Sequence, residues 1–486
     1  MVGVDMTQTD FYTILPTSML VVWACVLLLV DIFISKERKG LTALLAAVGL
    51  ALTMGISLTQ SGTNTSGFNG MVVLDGFSNF LNIMLLATGL LAIAVAIGYI
   101  RRMGVDRGEY YILMLFSIAG MMLISQATDL IITFLALELL SLPLYIMAAF
   151  AYSRTESAEA GIKYFLLGAY ATGFIVFGIA LTFGATGTTS FSGIVAAVTS
   201  GTATSSLLII GAALILVGLG FKVAAVPFHM WTPDVYQGSP TSVTAFMAAG
   251  AKAAGFAALL RVFATVFPSI ATELMPVLAV LSALSMIVGN IIAIAQTDIK
   301  RMLAYSSIAQ AGYILMAFVP FANESVRLVS VAAGLFYLVA YTITSFGSWG
   351  VVIALERAEG KGLAIADYAG LGKKYPLLAA AMAVFMLSLT GLPPTLGLIG
   401  KIYLFRAVVE GGFYWLALVG VITSLISAFY YLRVIVVMYM KEGDPQVTRE
   451  TWLDMAIAAS AVLTVVISLI PQSLFAWASQ AVLKLF

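Results

Sequence analysis

Apolar runs of about twenty residues, separated by short polar stretches, recur along the whole chain. A run of that length matches the hydrocarbon thickness a helix must cross in a bilayer. The runs fall near 12–35, 41–60, 77–100, 110–127, 129–152, 163–185, 207–229, 241–265, 274–296, 302–321, 328–355, 376–408, 413–440 and 452–482. Within each run the apolar positions are continuous, not alternating, so the pattern predicts helices and not a barrel. The predicted fold is all-α, a polytopic membrane protein of about 14 transmembrane helices with no soluble domain. The polar stretch GTNTSGFNG and the Gly/Thr/Ser-rich segment from Gly184 to Ser206 are predicted as outside loops.

Composition agrees with this reading. Hydrophobic residues make up 61% and charged residues 10% of the 486 residues, and mean hydropathy is +1.05. Soluble domains carry nearer a quarter charged residues, so the bilayer must act as solvent for most of this surface. The net charge of +1 says little about partners, and no nucleic-acid partner is expected. One cysteine, Cys25, and one histidine, His229, exclude a disulfide framework and a four-ligand iron–sulfur site in this chain. The N-terminus has Asp5 and Asp10 and no basic segment ahead of the first apolar run, so no signal peptide is expected.

Loop charge sets the expected sidedness. With the N-terminus outside, the inside loops hold Lys36, Arg38, Lys39, Arg101, Arg102, Arg107, Arg154, Lys163, Lys300, Arg301, Arg357, Lys361, Lys373, Lys374, Lys441 and Arg449. The outside loops and the C-terminus hold only Arg327 and Lys484. That asymmetry follows the positive-inside rule.

A few ionisable residues remain within the spans. Glu138 lies mid-span in LALELLSLPLYIM, Lys222 in the seventh run, Lys252 in AFMAAGAKAAGFAALL and Lys401 in TGLPPTLGLIGKIYLF. A charge at the bilayer centre costs about 2.5–3.5 kcal/mol or more, and such groups usually mark an ion path. A purely structural ion pair is the competing reading. Arg261, Arg406 and Arg433 lie nearer span ends, where snorkelling to the interface is expected.

Two of the lysines sit beside helix breakers. Pro227 follows Lys222, and Pro393 and Pro394 precede Lys401. Proline opens the backbone ladder, and freed carbonyls at membrane depth need protein or a hydrated cavity beside them. The breaks therefore predict water near both lysines, a packing kink being the alternative. They lie in the seventh and twelfth spans, an odd number apart, so the two spans run in opposite directions. Interrupted segments at matching places point to an inverted repeat with a midplane site. The expected division is residues 1–108 for helices 1–3, 109–265 for a first five-helix repeat, 266–440 for a second inverted repeat, and 441–486 for the last helix.

The stretch GFKVAAVPFHMWTPDVYQGSPTSVTAF, with LELLSLPLYIMAAFAY before it and TGLPPTLGLIGKIYLF after it, closely resembles the subunit N family of the proton-translocating NADH–quinone oxidoreductase, respiratory complex I. The wider antiporter-like family includes subunits L and M and the subunits of multisubunit cation/proton antiporters. Those typically have a histidine-bearing eighth helix, whereas AFMAAGAKAAGFAALLRV here looks like subunit N. One helix is expected beyond the second repeat, without the long lateral helix of subunit L.

The resemblance implies roles. Glu138, Lys222, Lys252 and Lys401 match the family's proton-translocating residues of the fifth, seventh, eighth and twelfth helices. His229 matches a histidine near the seventh-helix break, a relay or a simple cap of that break, and Glu159 and Lys163 match the charged start of the sixth helix. No cofactor is expected in this chain: GLGFKV follows no strand and is no dinucleotide fingerprint. NADH, FMN, iron–sulfur clusters and quinone are expected in partner subunits, peripheral and membrane, among them homologous antiporter-like ones. The expected location is a prokaryotic plasma or inner membrane, in preference to a thylakoid membrane. The magnitudes are compatible. Moving a proton against roughly 200 mV takes about 4.6 kcal/mol, and burial or a nearby carboxylate alters a lysine's hold on its proton by about 4–7 kcal/mol. A cation/proton antiporter subunit and a structural subunit that moves nothing are the competing functions.

Overall fold

The computed structural model describes residues 7–267, 270–357 and 360–482. Asp5 and Lys484, used above to set sidedness, lie outside the described residues. The elements that matter are α1 (Gln8–Asp31), α2 (Gly40–Thr59), α3 (Gly76–Arg102), α4 (Glu109–Gln126), α5 (Leu130–Ala148), α6 (Thr155–Thr186), α7 (Phe191–Thr199), α8 (Ser205–Val223), α9 (Trp231–Gly238), α10 (Thr241–Thr265), α11 (Ala271–Ile294), α12 (Ile299–Met316), α13 (Arg327–Leu355), α14 (Pro376–Thr390), α15 (Leu396–Glu410), α16 (Tyr414–Met440), α17 (Thr451–Leu469) and α18 (Pro471–Val482). Among the described residues, thirteen helices are long and apolar enough to cross a membrane. The twelfth predicted span adds a crossing in two pieces, α14 and α15.

The differences from the sequence reading have local causes. The sixth helix begins at Thr155 and not near 163, because Glu156, Ala158, Glu159, Ala160 and Lys163 are good helix formers and acidic residues suit a first turn. The seventh ends at Val223, where Ala224 takes a left-handed conformation at φ 61° and caps the helix. The last span divides at Ile470, where Pro471 starts α18. GTNTSGFNG carries a two-stranded hairpin, Thr65–Gly67 with Val72–Leu74, and α7 lies inside the second predicted loop.

Small residues set the closest helix crossings. A methyl on Gly178 of α6 would lie 2.7 Å from the Gly211 carbonyl of α8. A methyl added to Gly120 of α4 would collide with the α5 backbone at Leu140, and one on Gly289 of α11 would lie 2.6 Å from the Ala309 nitrogen of α12. Lipid offers no hydrophobic drive between helices, so such close approach and interhelical polar contacts hold the bundle. In α10 every residue from Thr241 to Ala264 is buried, and α12 and α13 are buried nearly as fully, so these helices form the centre. Single-helix faces of α1, α6 and α16 stay apolar and exposed, as lipid contact requires.

Candidate functional site

Of the candidate residues, Lys222 is held where a helix stops, while Glu138, Lys252 and Lys401 lie within helices. Lys222 lies one residue from the end of α8, and the freed backbone is taken up by other groups. The Ala225 N–H donates to the Gly220 carbonyl at 2.9 Å, and the Val226 N–H donates to Ser285 Oγ of α11 at 2.9 Å. Trp231 of α9 donates its indole N–H to the Phe221 carbonyl at 2.9 Å. The break is thus a built element, stitched to both flanking helices.

Lys222 Nζ donates to Ser141 Oγ of α5 at 2.7 Å and to the Tyr164 hydroxyl of α6 at 3.5 Å. It also lies over the Tyr145 and Tyr164 rings, 5.9 and 5.6 Å from their centroids. Ser141 is one turn past Glu138 on the same helix. Glu138 is half-buried and accepts from Thr172 Oγ1 at 2.8 Å. No ion pair joins Glu138 to Lys222: Ser141, which accepts from Lys222, donates its own hydroxyl to the Leu137 carbonyl.

Lys252 of α10 donates to the Ser307 carbonyl and hydroxyl of α12, both at 2.5 Å. The Tyr341 hydroxyl of α13 donates to the same Ser307 oxygen at 2.9 Å. Gly255, one turn along α10, faces the Lys222 stem, where an added methyl would lie 3.3 Å from Cγ. Lys222 and Lys252 thus flank one crossing but turn their ammonium groups to different helices.

Lys401 of α15 folds back over the break and donates to the carbonyls of Leu389 (3.2 Å) and Thr390 (2.8 Å) and to Ser424 Oγ of α16 (2.8 Å). Gly391, at φ +89°, gives the stem room: a methyl there would lie 2.8 Å from Lys401 Cδ. The Tyr313 ring centroid is 4.5 Å from the ammonium. The lysine satisfies orphan carbonyls at the C-terminus of α14, where a cation also suits the helix dipole.

Neutral polar side chains join the second and third lysines. Gln310 of α12 donates to the Leu389 carbonyl (3.1 Å) that also accepts from Lys401. Its Nε2 lies 3.2 Å from the Tyr431 hydroxyl, and its Oε1 accepts from Tyr337 at 2.6 Å. Tyr431 in turn shares a short hydrogen bond with Ser306, the neighbour of Ser307. The order is Lys252, Ser307, Ser306, Tyr431, Gln310, Leu389 carbonyl, Lys401. Sequence reasoning missed these partners, although SSIAQAGY is a visibly polar stretch within an apolar span.

The three lysines are 7%, 2% and 3% exposed, and none makes an ion pair among the described residues. Their ammonium groups rest on hydroxyls, carbonyls and rings. His229 is half-buried in the break and its Nδ1 is a buried atom without a partner. Glu159 and Lys163 do not join the row. Lys163 pairs at 2.7 Å with both Glu159 and Asp234, and Asp234 also pairs with Arg301 at 2.9 Å, in a half-exposed cluster at the end of α6. Asp234 was missed by the sequence reading; its WTPD context directly after the break was the available signal.

Other expectations need correction. Arg261 does not snorkel. It is 3% exposed and forms a bidentate pair with Asp75, at 2.6 and 2.9 Å, while also donating to the Ser125 carbonyl. Arg433 turns inward to the Ile294 and Gln296 carbonyls and completes the end of α11. Arg406 does stay exposed, beside Glu410. Lys300, expected in a loop, is buried and donates to the Ser239 carbonyl at 2.7 Å.

One pattern occurs twice. Thr128–Asp129 precedes α5, and its backbone pairs with residues 189–191: the Leu130 N–H donates to the Thr189 carbonyl and the Phe191 N–H to the Thr128 carbonyl. Thr297–Asp298 precedes α12, with the Ile299 N–H on the Leu363 carbonyl and the Ile365 N–H on the Thr297 carbonyl. Asp129 and Asp298 both cap the helix that follows. The same register sets Ser307 where Glu138 stands and Gln310 where Ser141 stands.

Comparison with known proteins agrees with this architecture. A family model described as "NADH:quinone oxidoreductase/Mrp antiporter, TM" matches residues 127–427. NADH-quinone oxidoreductase subunit N from Chloroflexus aggregans is 46% identical over 482 residues, covering 98% of both chains. A chain of respiratory complex I from Thermus thermophilus with bound aureothin superposes with a TM-score of 0.81 at 36% identity, covering 95% of this chain and 98% of that one. A chain of the Mrp complex from Dietzia sp. superposes with a TM-score of 0.87 at 22% identity, covering 98% and 97%, a likeness of fold. With its buried lysines beside two helix breaks and its match to these relatives over nearly its full length, the chain belongs to the NADH-quinone oxidoreductase subunit N family of antiporter-like membrane subunits.

Proposed function

We propose that protons cross this chain along Glu138, Lys222, Lys252 and Lys401. The chain is a proton-translocating antiporter-like subunit of the membrane arm of a bacterial complex I. The observation that carries the assignment of residues is the set of three buried lysines without counter-ions, two of them linked by a row of neutral side chains.

Each step has a physical basis. A hydroxyl both donates and accepts, so Ser306 and Tyr431 exchange a proton through their shared bond, and water bridges Ser307 to Ser306 and carries the proton past Gln310 and the Leu389 carbonyl to Lys401. An ammonium in low dielectric holds its proton loosely unless a negative charge approaches. Glu138 supplies that charge to Lys222 by a displacement along α5, where Ser141, one turn on, already holds Lys222. The step from Lys222 to Lys252 requires water to enter between α8 and α10 near Gly255, which packs against the Lys222 stem, and His229 relays at the opened backbone of the first break.

The repeated Thr–Asp clasp supports two inverted units, residues 109–265 and 266–440, with helices 1–3 at 1–108 and the last crossing at 441–486. The breaks beside Lys222 and Lys401 then face opposite sides, as alternating access requires. The N-terminus lies outside, in a prokaryotic plasma or inner membrane. Partner subunits carry NADH, FMN, iron–sulfur clusters and quinone; among the described residues no cluster of three or more His, Cys, Asp or Glu is placed to hold a metal.

Lys222→Ala tests the assignment. An assembled complex with impaired quinone reduction and impaired pumping is expected. Wild-type pumping from that variant refutes the role of Lys222.

A further inference from the structure

The proton row described above accounts for neither of two features: a buried carboxylate at the foot of α13 and the polar cleft beneath it. Glu356 follows the last residue of α13 and is fully buried. Its Oε2 accepts from Thr241 Oγ1, the first residue of α10, at 2.5 Å. Its Oε1 has no hydrogen-bond partner and lies 3.6 Å from the Arg154 guanidinium. Arg154 is about one-third exposed and lines a cleft of about 620 Å³ together with Gln237, Asp298, Lys300, Arg357 and Asp367. Lys300, Tyr99 and Tyr368 are the other titratable groups within reach of the Glu356 charge.

Above Glu356, α10 and α13 run antiparallel and in contact. Thr241 and Lys252 are eleven residues apart along α10, which takes a wider π-helical turn over Met247–Ala251 between them. The seam between the two helices holds Ala245 and Ala248, small and fully buried. Along α13, Ser348, Ser345 and Tyr341 share one face by their spacing. Ser348 Oγ donates to the Ser345 carbonyl at 2.8 Å, and Tyr341 donates to the Ser307 hydroxyl, which also accepts from Lys252.

We propose that Glu356 is a proton-loading group for Lys252, reached from the inner cleft past Arg154 and connected upward along the α10–α13 seam. The inference rests on the proton row proposed above and adds its inner entry. A protonated Glu356 carboxyl passes its proton to water and hydroxyls in the seam, and the carboxylate then takes another from water in the cleft. Arg154, held loosely at 3.6 Å, governs access to the unpartnered oxygen. An unsatisfied acceptor this deeply buried is costly unless water or a proton visits it.

The test uses the assembled complex in inverted membrane vesicles, whose inner face meets the medium. Glu356→Gln keeps the Thr241 contact and removes the carried proton, so both quinone reduction and proton uptake are expected to fall about fivefold or more. Glu356→Asp is expected to keep about half the rate or better, and Glu356→Ala to regain about twofold or more when formate is added to the medium. Wild-type pumping by Glu356→Gln overturns the proposal. So does a slow Glu356→Gln whose loss is neither spared by Glu356→Asp nor relieved by formate, since that marks a structural role. If Glu356→Gln fails to assemble, Ala248→Val decides: it narrows the seam without touching charge, and an unaltered rate overturns the proposal. Lys252→Ala in parallel separates the two readings. A slow Lys252→Ala beside a normal Glu356→Gln overturns only the entry, whereas wild-type pumping by Lys252→Ala overturns the row itself.

Discussion

Gln310 is the node through which the row from Lys252 reaches Lys401, and Gln310→Leu tests it at nearly constant volume. The substitution removes three contacts, with Tyr337 (2.6 Å), the Leu389 carbonyl (3.1 Å) and Tyr431 (3.2 Å). Two of the partners keep another: Leu389 retains Lys401, and Tyr431 retains Ser306. The Tyr337 hydroxyl, 2% exposed, loses its acceptor. One orphaned buried donor costs about 1–3 kcal/mol, a loss that a subunit packed within a large complex tolerates. If the same 1–3 kcal/mol is added to the barrier for proton passage, turnover slows by about 5- to 150-fold. Assembly is read on native gels, and NADH-driven quinone reduction and proton uptake are read in inverted vesicles. A fully assembled Gln310→Leu complex that pumps at the parental rate refutes the continuous row.

Three further outcomes follow from the geometry. Lys401→Arg keeps the charge but places a guanidinium that does not deprotonate in proteins, so pumping should fall about tenfold or more in an assembled complex; parental rates would show that Lys401 acts as a fixed charge. Asp75→Ala leaves the Arg261 guanidinium buried and unpaired, at a cost of about 3–5 kcal/mol. The expected result is loss of the assembled subunit on native gels, restored in large part by pairing it with Arg261→Met; undiminished assembly of the single variant contradicts the buried clamp. Gly178→Leu forces α6 off the Gly211 carbonyl of α8 and should cost about 1–3 kcal/mol or more, read as a lowered melting temperature of the purified complex.

Much of this was legible in the sequence, for physical reasons. Hydrocarbon thickness fixes run length, so the spans stood out. Charge at membrane depth is costly, so Glu138, Lys222, Lys252 and Lys401 stood out too, and proline located both breaks. Three features were not legible. Arg261 near a helix end reads as a snorkelling side chain, and its partner Asp75 lies far away in sequence, so nothing local announces the pair. The neutral row is built from Ser, Gln and Tyr, which cost little within a helix and give weak single-sequence signals. The proposed repeat rested on the two breaks alone. The Thr–Asp pairs before α5 and before α12, which support it, stand out only once their backbone clasps with residues 189–191 and 363–365 are visible.

The central claim is that buried lysines without counter-ions carry the protons, and Lys252 is its most direct test because Lys252 is the least exposed of the three. Lys252→Met preserves the stem and removes the ammonium. The decisive measurement is the rate of NADH-driven proton uptake by inverted vesicles containing the assembled variant complex. The account predicts a fall of about tenfold or more with assembly intact. Proton uptake at the parental rate by that assembled complex would contradict it.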